Sequence, residues 1–334
     1  MSSLTLLLFC SVFFNVKCDF NCPKNLEPIT YSVEYSDNYG TTDIKTVVDN
    51  VITHPPTEKN LSISLSNQTI PIFCKELFNY SGTLKNLFVT NCSTKKIMND
   101  FLQNVNVAHT IAFDHNPITT ITKRTFANLA VRKIILDSNK IKVLENQAFE
   151  NLTNLRTISF MWNEIVQINR HLFFHVPRLL HLNFEHNQVQ NLAANFLIIE
   201  PIDKLHLDLS YNQIATIERN AFNSIEAKKI DLFLDFNLIT TLPEGLFDHQ
   251  KFSQIHLWAN PLENISENLC QDCHIGLLFF GKEVLANVSP RFLAWAGRKN
   301  IRLDSKFHFT AGCGFRGFTH FWAFAAFILR ICDF

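Results

Sequence analysis

An asparagine recurs in the same sequence context along most of this chain. The segment LDLSYNQIATIERNAF, from Leu207 to Phe222, shows that context, with apolar residues two apart, then Asn212, then further apolar residues. Neither a regular helix nor a regular strand accounts for this spacing. The asparagines of seven such copies lie 23 to 25 residues apart, at Asn116, Asn139, Asn163, Asn187, Asn212, Asn237 and Asn260. A constant period of this length indicates a stack of similar coils.

Two weaker copies precede these seven, with Cys92 and Gln68 in the asparagine position. The repeats therefore cover residues 60–262, about nine copies of which the first two are divergent. Their order of apolar residues and asparagine matches the leucine-rich repeat pattern. The sequence predicts an α/β solenoid, a horseshoe whose short strands form a parallel concave sheet, followed by a disulfide-containing C-terminal cap.

The recurring asparagine has a structural explanation. Each coil turns sharply after its strand, so backbone groups are buried there without ladder partners. An asparagine amide carries a donor and an acceptor and can bond the backbone of its own and neighbouring coils. The alternative is an exposed turn residue, but turn residues need not recur in register. We predict a structural role for these asparagines and assign them no chemistry.

Phenylalanine marks the other end of each repeat. The chain contains 32 phenylalanines, and six of them stand at repeat ends, at Phe126, Phe149, Phe173, Phe196, Phe222 and Phe247. Every coil of a solenoid must bury a large apolar group against its neighbours. These rings are predicted to form a stacked, buried spine on the convex side.

The first 18 residues resemble a secretory signal peptide, with an apolar run from Leu4 to about Val16 that is too short to span a membrane. Lysine and arginine total 30, as do aspartate and glutamate, so loss of Lys17 with the signal leaves a net charge of −1. The absence of a basic surplus argues against nucleic acid and anionic membranes as partners. We predict a secreted, extracellular protein, with residues 19–59 as an N-terminal cap segment.

Glycosylation sequons support the secreted route. The motif Asn-x-Ser/Thr occurs at Asn60, Asn67, Asn79, Asn91, Asn151 and Asn264, and these six are the predicted glycosylation sites. A seventh, at Asn287, is doubtful because Pro290 follows its serine.

Cysteine usage points the same way. Seven of nine cysteines remain after the signal, and Cys92 is predicted to be a buried free thiol because it replaces a buried asparagine. The other six are predicted to form disulfides, which suit an extracellular protein: Cys22 with Cys74, and Cys270 and Cys273 each with one of Cys313 and Cys332. The alternatives are zinc at Cys270, Cys273 and His274, or redox chemistry of the Cys-x-x-Cys pair.

The end of the chain, within the predicted cap and apolar tail at 263–334, has two interpretations. An apolar run from Phe321 to Leu329 is too short to span a bilayer. It is either part of a cap or the tail of a lipid-anchor signal, with Ala311 and Gly312 as the small residues upstream. Membrane association is expected only in the second case.

The repeats resemble the extracellular, typical subclass of animal leucine-rich repeats, in which coils end in segments like LPEGLF, here Leu242 to Phe247. After them, NPLENISENLCQDCHIGLLFF resembles the cysteine-containing C-terminal cap of that family, with Asn260, Pro261, Leu262, Cys270, Cys273 and Leu277 in matching roles. The signal, the single early cysteine and the modest repeat number are similar to those of insect secreted leucine-rich immune proteins. The resemblance implies a recognition role, with innate immunity as the setting.

The sequence contains no catalytic motif and no cofactor motif, so we predict that the protein is not an enzyme. The thirteen histidines are scattered through variable repeat positions. His181, His206 and Asp208 would meet on one face of adjacent strands, either as a metal site or as a polar patch that contacts solvent or a partner.

The variable positions next to each asparagine predict a partner-binding surface. Alternation along each strand turns the residues between and after the apolar pair outward, onto the concave sheet. Aromatic residues flanked by carboxylates are typical of protein interfaces. The candidate contact residues are Trp162, Glu185, His186, Tyr211, Asp235, Phe236 and Trp258. The alternative is that the rings pack on one another as cross-strand neighbours.

These features predict a secreted recognition protein that binds an extracellular protein partner through its concave face, without a cofactor. The alternative is a structural or cell-adhesion protein outside the cell, membrane-anchored if the tail is an anchor signal. Self-assembly would favour the alternative.

Overall fold

A computed structural model represents the 334-residue chain. It describes residues 28–36, 42–49, 51–52, 61–78, 81–103 and 105–304. The predicted signal peptide at 1–18 and the apolar tail lie outside these residues, as do Cys22, Cys313, Cys332, Asn60 and Asn79.

One thirteen-stranded sheet runs through the whole described part. Its strands, in spatial order, are Thr42–Asp49, Ile29–Ser36, Leu61–Ser66, Gly82–Thr90, Val105–Ala112, Lys133–Ile135, Thr157–Ser159, His181–Asn183, Leu205–Asp208, Ile230–Phe233, Lys251–His256, His274–Phe279 and Arg302–Asp304. Ile29–Ser36 pairs antiparallel with both of its neighbours. From Leu61–Ser66 onward every pairing is parallel, with one strand from each coil. The predicted solenoid is confirmed.

The other limb of the coils consists of turns and short strands rather than helices. Its strands are Ile72–Phe73, Lys96–Ile97, Thr120–Ile121, Phe126–Ala127, Val143–Leu144, Phe149–Glu150, Phe173–Phe174, Asn191–Leu192, Ile199–Ile202, Thr216–Ile217 and Ile225–Ala227. A 3₁₀ turn spans Lys75–Leu77, and the two α-helices of the described part, Lys282–Asn287 and Pro290–Arg298, follow the repeats. Within the described ranges, none of the helices has the length and apolar character needed to cross a membrane.

The interior is filled by the apolar residues of each strand and by the predicted phenylalanine spine. Phe126 and Phe149 are fully buried, and their ring centroids lie 5.3 Å apart. The ring centroids of Phe149 and Phe173 lie 5.5 Å apart, and those of Phe222 and Phe247 lie 5.9 Å apart. Successive coils are therefore held together by ring packing as well as by the sheet.

The asparagines form the predicted ladder of side-chain hydrogen bonds. The Asn212 Oδ1 accepts from the backbone N–H of Val189 at 3.0 Å, and its Nδ2 donates to the carbonyl of Phe184 at 2.9 Å and of Leu209 at 3.1 Å. One amide thus ties three backbone segments of two coils. The other six asparagines make the same type of bonds.

Cys92 stands in the ladder as a free, fully buried thiol, as predicted. Its backbone N–H still donates to the Asn116 Oδ1 at 2.8 Å. Its thiol contacts the carbonyl of Thr90 at 3.4 Å. Toward the preceding coil, a backbone bond of 2.8 Å from the Ile70 N–H to the Cys92 carbonyl takes the place of the amide bond made in later coils.

The disulfide prediction is wrong in one respect. Cys270 and Cys273 are bonded to each other, with their Cα atoms 5.7 Å apart, and not to Cys313 and Cys332. A separation of three residues in a tight turn brings the two Cα atoms within the range that a disulfide requires. The zinc interpretation also fails, since cystine sulfurs are not thiolate ligands. Cys74 is disulfide-bonded, and its pairing with Cys22 stays a prediction because Cys22 lies outside the described residues.

Candidate interaction surface

The residue before each ladder asparagine adopts the left-handed backbone conformation. Its φ is 57° at Trp162, 55° at His186, 54° at Tyr211 and 55° at Phe236. Bulky side chains rarely occupy this region, because the Cβ approaches the following carbonyl. The main-sheet strands end three residues earlier, so these side chains project along the rim of the sheet at the same point of successive coils.

The four rings stack on one another in a continuous ladder, which we call the ring ladder. Centroids lie 3.6 Å apart for Trp162 and His186, 4.3 Å for His186 and Tyr211, and 4.1 Å for Tyr211 and Phe236, with the ring planes within 18° of parallel. Trp258 closes the far end edge-on to Phe236, at 4.8 Å. The near end is open, because the preceding coil has Ser138 in this position and Trp162 is 49% exposed.

A second row of rings crosses the strands themselves. We call it the strand row, and its members are His181, His206, Phe233, His256 and Phe279. Neighbouring centroids lie 4.5 to 5.4 Å apart, with the rings tilted. Phe233, His256 and Phe279 were not among the residues predicted from the sequence. The signal that could have found them is their place at the outward position of the strand, between or beside the buried apolar residues.

Carboxylates lie between the two rows along the chain of each coil. Glu185 falls between His181 and His186 in one coil, Asp208 between His206 and Tyr211 in the next, and Asp235 between Phe233 and Phe236 in the third. These three residues are the acidic strip.

Backbone and histidine groups contact the strip. The Asp208 Oδ1 accepts from the N–H of Ser210 at 2.9 Å, and the Asp235 Oδ1 accepts from the N–H of Trp258 at 2.7 Å. The Glu185 Oε1 lies 3.5 Å from the His186 Nε2, and the Asp235 Oδ2 lies 3.6 Å from the His256 Nδ1.

The strip is poorly solvated and poorly neutralised. Burial, together with the neighbouring Asp208 carboxylate, raises the pKa of Glu185 to about 7. Burial likewise raises the pKa of Asp208 above its ordinary range. The pKa of His186 falls to about 4, because burial disfavours its cation. His186 is therefore neutral at physiological pH and leaves the charge of Glu185 uncompensated.

Asp231, which lies opposite His206 on the neighbouring strand, differs from the acidic strip because its charge is neutralised. Burial alone would raise its pKa, but His206 and the Lys204 ammonium lower the pKa to about 2. Its Oδ2 lies 2.7 Å from the Lys204 Nζ and 3.8 Å from the His206 Nδ1. His206 thus pairs with Asp231 rather than joining His181 and Asp208 around an ion. In the part of the chain that the structure describes, no cluster of histidine, cysteine and carboxylate side chains is arranged to hold a metal.

The early coils carry sequons at the position that later holds rings. Asn67 and Asn91 precede the ladder position with φ of 57° and 52°, are exposed, and are joined by a 2.7 Å bond from the Asn91 Nδ2 to the Asn67 Oδ1. Asn264 is exposed, and Asn151 is partly exposed and donates to Asn128 at 3.0 Å. Glycosylation of these sites stays a prediction.

Two family profiles match the chain. Residues 130–189 match the leucine rich repeat family, and residues 203–288 match the BspA type leucine rich repeat region. No curated protein sequence matches significantly. The fold is that of a leucine-rich repeat solenoid, and the two profiles match part of it, between residues 130 and 288.

Solved structures with a similar fold include receptor complexes. A chain of the glycosylated Toll–Spatzle complex of Drosophila is 16% identical, with a TM-score of 0.50 over 65% of this chain and 30% of that one. The TLR13–ssRNA13 complex is 19% identical, with a TM-score of 0.43 over 72% of this chain and 43% of that one. This chain thus spans less than half the length of either relative, and at such identities the likeness concerns the fold alone.

Proposed function

We propose that this chain is a secreted recognition protein, and not an enzyme, that binds another protein through the ring ladder and the adjoining concave surface. The observation that carries the proposal is the ring ladder itself. Four side chains occupy a left-handed backbone position that costs a non-glycine residue about 1 to 2 kcal/mol.

The fold does not require rings at this position. Asn91, Ser138 and Ala259 hold it in other coils with φ of 52°, 54° and 53°, so the turn forms with small side chains. Large aromatic side chains at consecutive coils therefore add something that the coil does not need. Partly exposed rings on a rigid scaffold are what a binding site uses as anchors.

The stacking also supports the alternative that the rings stabilise the solenoid by cross-strand packing. The two roles are compatible, because stacking fixes each ring before a partner arrives. A surface that is ordered in advance loses less side-chain entropy on binding. Stacking alone does not explain why Trp162, at the open end of the ring ladder, leaves one face of its ring exposed.

Secretion and innate immunity belong to the same proposal. The disulfide of Cys270 with Cys273 and the exposed sequons suit an oxidising, extracellular compartment. The immune setting rests on the resemblance of the sequence to secreted immune repeat proteins. The Drosophila complex, described as a hub in development and innate immunity, adds a relative with the same fold.

The test is capture of proteins from the extracellular fluid of the source organism. The bait is the full chain, compared with Tyr211→Asn/Phe236→Asn, in which asparagine suits the left-handed backbone. A control is Phe174→Asn, which removes a ring that is 49% exposed and lies on the opposite limb. We expect specific proteins to disappear from the captured set only with the variant that changes the ring ladder. If Tyr211→Asn/Phe236→Asn is folded and captures the same proteins, the ring ladder is not the binding site.

The adhesive alternative has its own signature. An adhesive protein that assembles through its edges would be polydisperse in light scattering of the purified chain. A single monomeric species favours recognition of a different partner.

A further inference from the structure

We infer that the partner presents arginine side chains to the acidic strip, with each guanidinium lying between the ring ladder and the strand row. The inference rests on the proposed function and adds the chemistry of the partner. Its starting point is the order of side chains in three successive coils, in each of which a ring, a carboxylate and a second ring follow one another.

The local charge differs from that of the whole chain. The sequence has equal numbers of basic and acidic residues, yet Glu185, Asp208 and Asp235 stand together on consecutive coils. Among the residues that the structure describes, no lysine or arginine forms an ion pair with any of the three. The nearby Lys204 is engaged by Asp231 at 2.7 Å.

The free protein holds these carboxylates at a cost. Burial, and after it the neighbouring Asp208 carboxylate, disfavours ionisation of Glu185, as its raised pKa reflects. A cation from outside would remove the repulsion, whereas the phosphates of a nucleic acid or an acidic protein would increase it.

The rings select among cations. A guanidinium is planar, stacks on aromatic rings, and binds a carboxylate through two parallel hydrogen bonds. An ammonium is a compact and more strongly hydrated charge, so it gains less from the rings. Neighbouring strands lie about 4.8 Å apart, so Glu185 and Asp235 are about 10 Å apart across two coil spacings. Arginines three residues apart in a polyproline II segment lie on one face, because this helix has three residues per turn, and they span about 9 Å.

The probe is a fluorescein-labelled peptide with three arginines alternating with pairs of glycines. Peptides with lysine, glutamine or glutamate in place of arginine are its counterparts. Binding to the full-length chain is followed by fluorescence anisotropy at low ionic strength. We expect the arginine peptide to bind most tightly, the lysine peptide next, and the other two at least about tenfold more weakly.

Isosteric variants locate the site. Glu185→Gln/Asp235→Asn removes two charges of the strip and is expected to weaken the arginine peptide about tenfold or more. Glu226→Gln/Glu263→Gln removes two exposed charges outside the strip and should leave binding within about twofold. Circular dichroism establishes that each variant is folded. If this double variant fails to fold, the single variants Glu185→Gln and Asp235→Asn take its place, since each removes one charge of the strip.

The outcomes separate this inference from the proposed function. Equal binding of the arginine and glutamine peptides, or equal binding by the two double variants, overturns the inference. If ladder-dependent protein capture persists in that case, the proposed recognition function stands with a different partner chemistry. If capture does not depend on the ladder, the proposed function fails, whatever the peptides do. Support requires that the strip variant lose both the arginine peptide and the captured proteins.

Discussion

The early and the late coils share one backbone turn but use it differently. The position before the ladder asparagine is left-handed throughout, from Asn67 to Ala259. In the early coils it holds the polar residues Asn67, Asn91, His115 and Ser138, two of them in sequons. In the later coils it holds the four stacked rings. The turn therefore fixes where a side chain points and leaves its chemistry free, so the backbone does not account for the difference between the halves.

The largest expected effect concerns what the coils share. Replacing Asn212 by alanine removes the amide that ties Val189, Phe184 and Leu209, and leaves buried backbone groups unpaired. We expect the free energy of unfolding to fall by about 3 kcal/mol. Chemical denaturation measures it. The control Asn191→Ala alters an exposed asparagine outside the asparagine ladder and should change the free energy of unfolding by less than about 0.5 kcal/mol. Equal losses would mean that the ladder bonds contribute nothing specific.

The next effect separates the two halves. Phe236→Asn removes one ring of the ladder, and partner binding should weaken by about 2 kcal/mol, in the range of aromatic hot spots. Stability should change less, since asparagine tolerates a φ of 55° better than phenylalanine does. The matched change is His115→Asn, at the same turn of an early coil, which should leave binding unaltered. Surface plasmon resonance with the captured partner decides it. A similar loss from both variants would abolish the distinction between early and late coils.

The sequence predicted what is periodic in this molecule. The recurrence of Asn212 and its equivalents predicted the coils, the strands and the buried amides. All three follow from the same repeated pattern of apolar residues and asparagine. The spine of Phe126 and Phe149 followed from the same register. Features that depend on the distance between particular atoms were less accessible. The pairing of Cys270 with Cys273 is one of them.

The members of the ring ladder were predicted as outward-facing residues, but their stacked order was not. Trp162, His186, Tyr211 and Phe236 were selected as outward residues, yet their left-handed backbone was not expected, since bulky residues avoid it. The strand row was missed because Phe233 meets His206 along a diagonal between strands, which no single repeat reveals. Predicting it required the register between coils.

A smaller effect follows from the acidic strip of the late coils. The pKa of Glu185 is raised from its ordinary 4.5 to about 7, so the folded chain holds this proton more tightly than the unfolded chain does. The stabilising contribution is complete below about pH 4.5 and is lost as the pH rises through about 7. Stability of the unaltered chain relative to Glu185→Gln should therefore decrease over this interval.

Urea unfolding of both proteins between about pH 5 and about pH 8 measures the difference. The titratable neighbours of Glu185, which are Asp208, Asp137 and His186, are present in both proteins, so their own titration largely cancels. A difference that stays constant with pH, or that increases, would contradict the assigned environment of Glu185.

The smallest effect asks whether an early coil can be given late-coil character. Ser138→Tyr places a ring next to the open face of Trp162, at a turn whose φ of 54° matches that of Tyr211. Both residues have a Cβ, so the backbone strain is similar, and the new stacking contact should add about 0.5 kcal/mol of stability. Acrylamide quenching of tryptophan fluorescence should decrease, because Trp162 loses exposed area. Ser138→Asn is the control, which keeps the turn but adds no ring. Unchanged quenching relative to this control would mean that the ladder depends on more than the shared turn, and that the late coils differ from the early ones in backbone as well as in side chains.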